Sequence, residues 1–73
     1  MPKLPVVSGA EVVRALQRLG FVVVRQCGSH IVMRRGSSGC VVPNHAELKT
    51  GTLSGVLKQA GISPDEFIAA LHA

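Results

Sequence analysis

Between Gly20 and Pro43 the chain is punctuated so tightly that only one kind of sheet fits. Gly20, Gly28-Ser29, the Gly36-Ser37-Ser38-Gly39 run and Pro43 cut this stretch into short segments rich in β-branched residues. Phe21-Val22-Val23-Val24-Arg25-Gln26 reads as a first strand, His30-Ile31-Val32-Met33-Arg34-Arg35 as a second and Cys40-Val41-Val42 as a third. Gly28-Ser29 supplies a turn, and Gly36 to Gly39 reads as a flexible polar loop. Links this short cannot hold the crossover that parallel strands need, so the strands form an antiparallel meander. Alternation along the second strand sets Ile31 and Met33 on one face and His30, Val32 and Arg34 on the other.

Helical signals flank the meander. Ser8-Gly9-Ala10-Glu11 is a capping box, in which the Ser8 hydroxyl accepts a first-turn N–H and Glu11 reaches back to the cap. A helix then runs to about Leu19, with Val12, Val13, Leu16 and Leu19 as its buried stripe, and Gly20 stops it. After the strands, Asn44 to Gly51 is a connection carrying His45, Glu47 and Lys49. A second helix starts near Thr50 to Leu53, capped by either threonine, with Leu53, Val56, Leu57 and Ala60 at helical spacing. Gly55 inside it costs about 1 kcal/mol against alanine and is expected to face solvent or a close neighbour. Gly61 ends this helix. Ser63-Pro64-Asp65-Glu66 is a second capping box, opening a short last helix that buries Phe67, Ile68 and Leu71. Ahead of all this, Pro2 and Pro5 keep Met1 to Val7 extended.

The expected order is helix, three strands, helix, short helix. Two helices over the apolar sheet face make a two-layer α+β domain, one domain across residues 1–73. The α-β-β-β-α order is that of double-stranded RNA-binding domains. His30 and Arg34 are then left on the face open to a ligand.

Size and charge narrow the function. A chain of 73 residues buries only a modest share of its unfolded surface and gains from a partner. With two phenylalanines, no tyrosine and no tryptophan, it lacks the exposed rings of a base-stacking platform. The net charge of +4 makes an electrostatic case for nucleic acid, with anionic membranes as the rival. No apolar run reaches membrane-spanning length and no secretory signal is visible, so a cytoplasmic protein is expected. Cys27 and Cys40 lack zinc-site spacing. Their separate strands make a disulfide conceivable, but a reducing cytosol favours two free thiols.

Several short motifs are spread along the chain. Ser8-Gly9 opens the first helix, Leu19-Gly20-Phe21 marks the helix–strand junction and Gly28-Ser29-His30 begins the second strand. Val42-Pro43-Asn44-His45, Gly51-Thr52-Leu53, Leu57-Lys58-Gln59-Ala60-Gly61-Ile62-Ser63 and Glu66-Phe67 follow. In this order and spacing, from about Leu4 to Leu71, the chain resembles the HicA toxins of bacterial toxin–antitoxin modules. The resemblance implies an RNA-binding-domain-like fold, ribonuclease activity on mRNA without a cofactor, and a HicB-type antitoxin partner that blocks the active face. It implies that the histidine after Gly-Ser, here His30, is catalytic. Two features depart from the family pattern: the Gly36 to Gly39 loop lacks basic residues, and Gly55 replaces a larger helical residue.

The chemistry of such a site follows from RNA itself. The 2′-hydroxyl is an internal nucleophile, so cleavage needs a base for its proton, an acid for the leaving 5′-oxygen and positive charge at the phosphate. Positioned acid–base groups supply roughly 10² to 10⁴ in rate. An imidazole changes charge near neutral pH, so His30 suits either proton-transfer role; alone, it also reads as a surface histidine at a strand end. His45 is a second candidate for the acid or a phosphate contact, and equally a solvated loop histidine. Ser29 orients the turn or simply fills it, and His72 is expected to be exposed. Lys49 lies just before a helix N-terminus, which favours anions, and similarity to double-stranded RNA-binding domains implies that Lys49, with Lys58 as a weaker candidate, grips phosphate. Arg25, Arg34 and Arg35 extend the basic surface or are solvated strand residues. Glu11, Glu47, Asp65 and Glu66 are the only acids and form no cluster to hold magnesium, so a metal-independent reaction is expected. The alternative is a noncatalytic RNA-binding or antitoxin-binding module in which His30 only donates a hydrogen bond.

Overall fold

The computed structural model describes residues 4–73; Met1, Pro2 and Lys3, and with them the first part of the expected extended lead, lie outside the described residues. The elements are α1 (Gly9–Arg18), β1 (Val22–Cys27), β2 (His30–Arg35), β3 (Ser38–Pro43), α2 (Thr50–Ala60) and α3 (Pro64–Leu71). The strands form one antiparallel sheet in the order β1-β2-β3, the expected meander.

Both hairpins turn on two residues, Gly28-Ser29 and Gly36-Ser37, and their glycines take φ values of +56° and +60°. A left-handed backbone matches the twist of the strands it joins, and glycine adopts it without a Cβ clash. The second turn corrects the expected four-residue loop: Ser38 and Gly39 are already paired, opposite Arg35 and Arg34. Serine and glycine disguise the strand because their side chains give it no alternation to read. Between Val23 and Arg25 the β1–β2 register shifts, leaving Val24 as a bulge.

Burial follows the pleat. Ile31 and Met33 of β2 and Cys40 and Val42 of β3 are buried against the helices. His30, Val32 and Arg34, with Gly39, Val41 and Pro43 opposite them, therefore share the other face. One core joins these four residues to Val12, Ala15, Leu16, Phe21, Leu48, Leu53, Leu57 and Phe67, among others. The helices lie toward the β3 side: α2 packs on β3, and α1 packs on α3 and reaches β3 and β1. Arg18 fastens α1 to α3 by donating from Nη1 to the Ala70 carbonyl at 2.8 Å. All of β1 stays exposed, including Val22, Val23 and Val24, because no helix covers its outer half.

The capping boxes form as expected. Ser8 Oγ accepts from Glu11 N at 3.1 Å while Ser8 N donates to Glu11 Oε1 at 3.0 Å, and Ser63 and Glu66 repeat the pattern. The Ser8 backbone N–H, and then its hydroxyl, hold the Glu11 carboxyl below the ordinary carboxylate range. The first helix buries Val12, Ala15 and Leu16, with Val13 and Leu19 only half-buried, so the stripe is turned one position toward Ala15. Neither threonine caps α2; Lys49 is its N-cap and makes no side-chain capping bond. The cause is upstream: Leu48 N donates to Val7 O at 2.7 Å, and that bridge fixes the chain one residue before the N-cap. In α3 the buried pair is Phe67 and Ala70, with Ile68 and Leu71 half-buried. Gly55 is exposed with open space beside it, as expected.

This arrangement sorts hydrophobic residues that look alike in sequence. Met33→Ala should cost about 2–5 kcal/mol, because it empties a fully buried site. Val22→Thr, on the exposed strand, should stay within about 0.5 kcal/mol. Urea midpoints of the two variants check the contrast.

Candidate nucleic-acid interface

The open sheet face is built in rows across three strands. Val22, Arg34 and Gly39 form one row, Arg25, Val32 and Val41 the next, and Cys27, His30 and Pro43 the last. His30 thus stands at the end of the central strand, exposed, between Cys27 and Pro43. Directly opposed side chains in an antiparallel pair have Cβ atoms about 4.5–5.5 Å apart, so the Cys27 thiol borders the imidazole. Arg25 reaches along β1 to the same corner, its Nε donating to Cys27 Sγ at 3.2 Å. Arg34 lies about 13 Å further along β2 by strand rise. Its stem runs beside Gly39, where an added Cβ would lie 3.6 Å from Arg34 Cγ.

The electrostatics of this face are one-sided. No acid occurs between Glu11 and Glu47, so all three strands lack carboxylates. Glu11, Asp65 and Glu66 sit in helix first turns and Glu47 in the β3–α2 connection. Arg25, His30 and Arg34 therefore face solvent with no anion among them on the sheet.

The second histidine arrives through backbone rather than side-chain contacts. Asn44 N donates to Ser29 O at 2.6 Å, extending the β2–β3 ladder one step into the His30 turn. His45 follows, exposed, and its carbonyl accepts from Gly9 N at 2.8 Å. Among the described residues, no side-chain hydrogen bond involves His30, His45 or Ser29. The fold brings the segments of His30, Ser29 and His45 together and leaves their side chains free. His72, at the C-cap of α3, is exposed and belongs to a different end of the molecule.

The basic residues separate into groups. Lys49 occupies the N-cap of α2, whose first turn holds no acid, so the positive end of the helix is unopposed locally. Lys58 is in the last turn of the same helix, about 13 Å away along the axis. Arg35 leaves the proposed set. It follows Arg34 and so points to the helix side, where Nη1 donates to Leu19 O at 2.8 Å and the guanidinium lies 4.8 Å from the Phe21 ring centroid. It ties the end of α1 to β2 and contributes to the fold. Alternation alone would have assigned it there.

The cysteines also divide by face. Cys40 is buried under the helices, and burial pushes its thiol above the ordinary range. Cys27 is exposed on the open side, so the two free thiols lie on opposite faces and cannot pair. Among the described residues no three of His, Cys, Asp and Glu group as metal ligands, and no helix is long and apolar enough to cross a membrane. A shallow depression lined by Glu11, Arg14, Arg18 and Leu71 lies in the helix layer, away from His30. The His30 corner is thus an open surface suited to an extended polyanion.

The model of the family described as HicA toxin of bacterial toxin-antitoxin matches residues 9–62 of this 73-residue chain. No curated protein matches it. The matched span runs from the first helix through α2 and includes every row of the open face.

The division between neighbouring arginines is measurable. Arg35→Ala should lose about 1–2 kcal/mol, the scale of one charged hydrogen bond and one ring contact. Arg34→Ala should change stability by less than about 0.5 kcal/mol. Equal losses in urea denaturation would show that Arg35 has no separate structural role.

Proposed function

Because the chain belongs to the HicA toxin family of bacterial toxin–antitoxin systems, we propose that it is a metal-independent endoribonuclease acting on mRNA, with His30 as its catalytic residue and a HicB-type antitoxin as its inhibitor. One observation carries this reading. His30 is exposed on a sheet face with Arg25 and Arg34, and the strands carry no carboxylate to neutralise them. The α-β-β-β-α order, shared with double-stranded RNA-binding domains, supports an RNA ligand by analogy.

In the proposed reaction the 2′-oxygen attacks the adjacent phosphorus as its proton leaves to a base. The P–O5′ bond breaks and the 5′-oxygen takes a proton from an acid. The imidazole of His30 fills one of these roles, since an imidazole can either take or give a proton. Arg34, and Arg25 when it turns from Cys27, hold the phosphates and stabilise the charge that develops on them. Lys49, with the N-terminus of α2, holds phosphate further along the strand, and Lys58 is a more remote contact. His45 and Ser29 belong to the same corner; His45 is the candidate for the second proton-transfer role.

Membership of a toxin–antitoxin family implies an antitoxin partner. The open face has no lid among the described residues, so an antitoxin that covers His30 and Arg34 would block RNA and bury part of a small domain together. In the cytoplasm, where thiols stay reduced, Cys27 would remain a free thiol beside His30.

Incubation of pure protein with RNA in a chelator tests the reading. His30→Ala should abolish cleavage and growth inhibition with an unchanged fold, since the side chain is exposed. Full cleavage by that variant removes His30 from the chemistry, and RNA bound but left intact by the parent supports a noncatalytic binding module. Lys49→Ala should weaken RNA affinity and lower the salt slope by about one, the release of about one counterion. An unchanged slope in a salt titration places the RNA away from α2.

A further inference from the structure

The catalytic corner is held from the far side of the domain, through backbone atoms. Gly9 is the first residue of α1 and is buried. Its N–H, one of the unpaired donors at a helix start, donates to His45 O at 2.8 Å. A Cβ at residue 9 would collide with Pro43 O and come within 2.8 Å of Asn44 Cα. Both are backbone atoms, so no side-chain rotation relieves the clash. Only glycine lets α1 seat against Pro43-Asn44-His45.

That segment grips His30 on two sides. Pro43 is the cross-strand partner of His30, and Asn44 N donates to the carbonyl of Ser29, the residue before it, at 2.6 Å. His30 has no side-chain hydrogen bond among the described residues, so where its ring stands is set by the placement of its backbone. We infer that Gly9 is a positioning residue for His30: the close approach of α1 to Pro43-Asn44-His45 fixes the strand end from which the imidazole acts. The inference rests on the ribonuclease reading for its effect on rate, and on geometry alone for its effect on His30. Lys49 follows a different bond, Leu48 N to Val7 O, which neither change removes, so RNA affinity should be largely spared.

The test uses Gly9→Ala and, because that variant strains the backbone, a second protein made by chemical synthesis. The second has an ester in place of the Ser29-directed amide at Asn44, which removes the N–H and keeps every side chain. Each should lower kcat about 10- to 100-fold while KM moves less than about twofold, the cost of an ångström-scale misplacement of a catalytic group. Combined, they should lower kcat by much less than the product of the two, because both act through the same link. NMR supplies a readout independent of activity: the His30 ring resonances should move in both proteins while those of His72 do not.

A kcat that falls only in proportion to the folded fraction, with His30 resonances unmoved, overturns the inference. So does independent multiplication of the two effects. If Gly9→Ala fails to fold, the ester protein decides by the same two readouts. If the parent protein does not cleave RNA, the ribonuclease reading fails and the His30 resonances alone decide whether Gly9 positions that residue.

Discussion

The burial of Ile31 and Met33 is the constraint on which the rest of this structure depends. They are on the central strand, and the helix layer closes over them. Because side chains alternate, committing these two inward commits His30, Val32 and Arg34 outward. A slip of one residue would bury a histidine and an arginine and expose the core, so the register is strongly specified. The function proposed for the open face is thus a consequence of hydrophobic burial on the other.

The same constraint explains why the molecule is unevenly finished. The helices concentrate over β2 and β3, and Gln59 of α2 even accepts from the Val41 N–H at 3.3 Å on the outer edge of β3. The opposite edge, β1, has no such cover, and its protection is the bulge at Val24, which disturbs regular pairing. A small domain has little apolar surface to spare. Here it is spent where α1, α2 and the two inner strands meet, and the periphery is left to arginines, turns and exposed valines.

Much of this was legible because local signals agreed with one another. Two capping boxes, the Gly28-Ser29 turn and the alternation of β2 predicted the element order and the face of His30, and each is present. What escaped notice depended on contacts between distant parts of the chain. The cap of α2 is set by the Val7–Leu48 bridge, and nothing around Lys49 announces it. Alternation separates Arg35 from Arg34, but its structural role appears only with Leu19 O and Phe21 beside it. Ser38-Gly39 resembles a loop because pairing, not side-chain pattern, makes it a strand. Gly9 reads as an ordinary helix-start glycine, and only the approach of Pro43 and Asn44 shows why a side chain is excluded. At the candidate site, His30, Ser29 and His45 were each readable as candidates, whereas the Cys27 opposite His30 required the hairpin register.

In the proposed reaction the protein supplies proton transfer and charge while the RNA supplies the nucleophile. An oligonucleotide lacking only the 2′-hydroxyl at the cleaved position tests this most directly, assayed beside its all-ribose parent in chelator. Both should bind alike, the parent should be cut to a 2′,3′-cyclic phosphate end and a 5′-hydroxyl end, and the deoxy form should stay intact. Cleavage of the deoxy oligonucleotide at the parental rate would mean that an external water, not the 2′-hydroxyl, is the nucleophile, and the proposed reaction would be wrong.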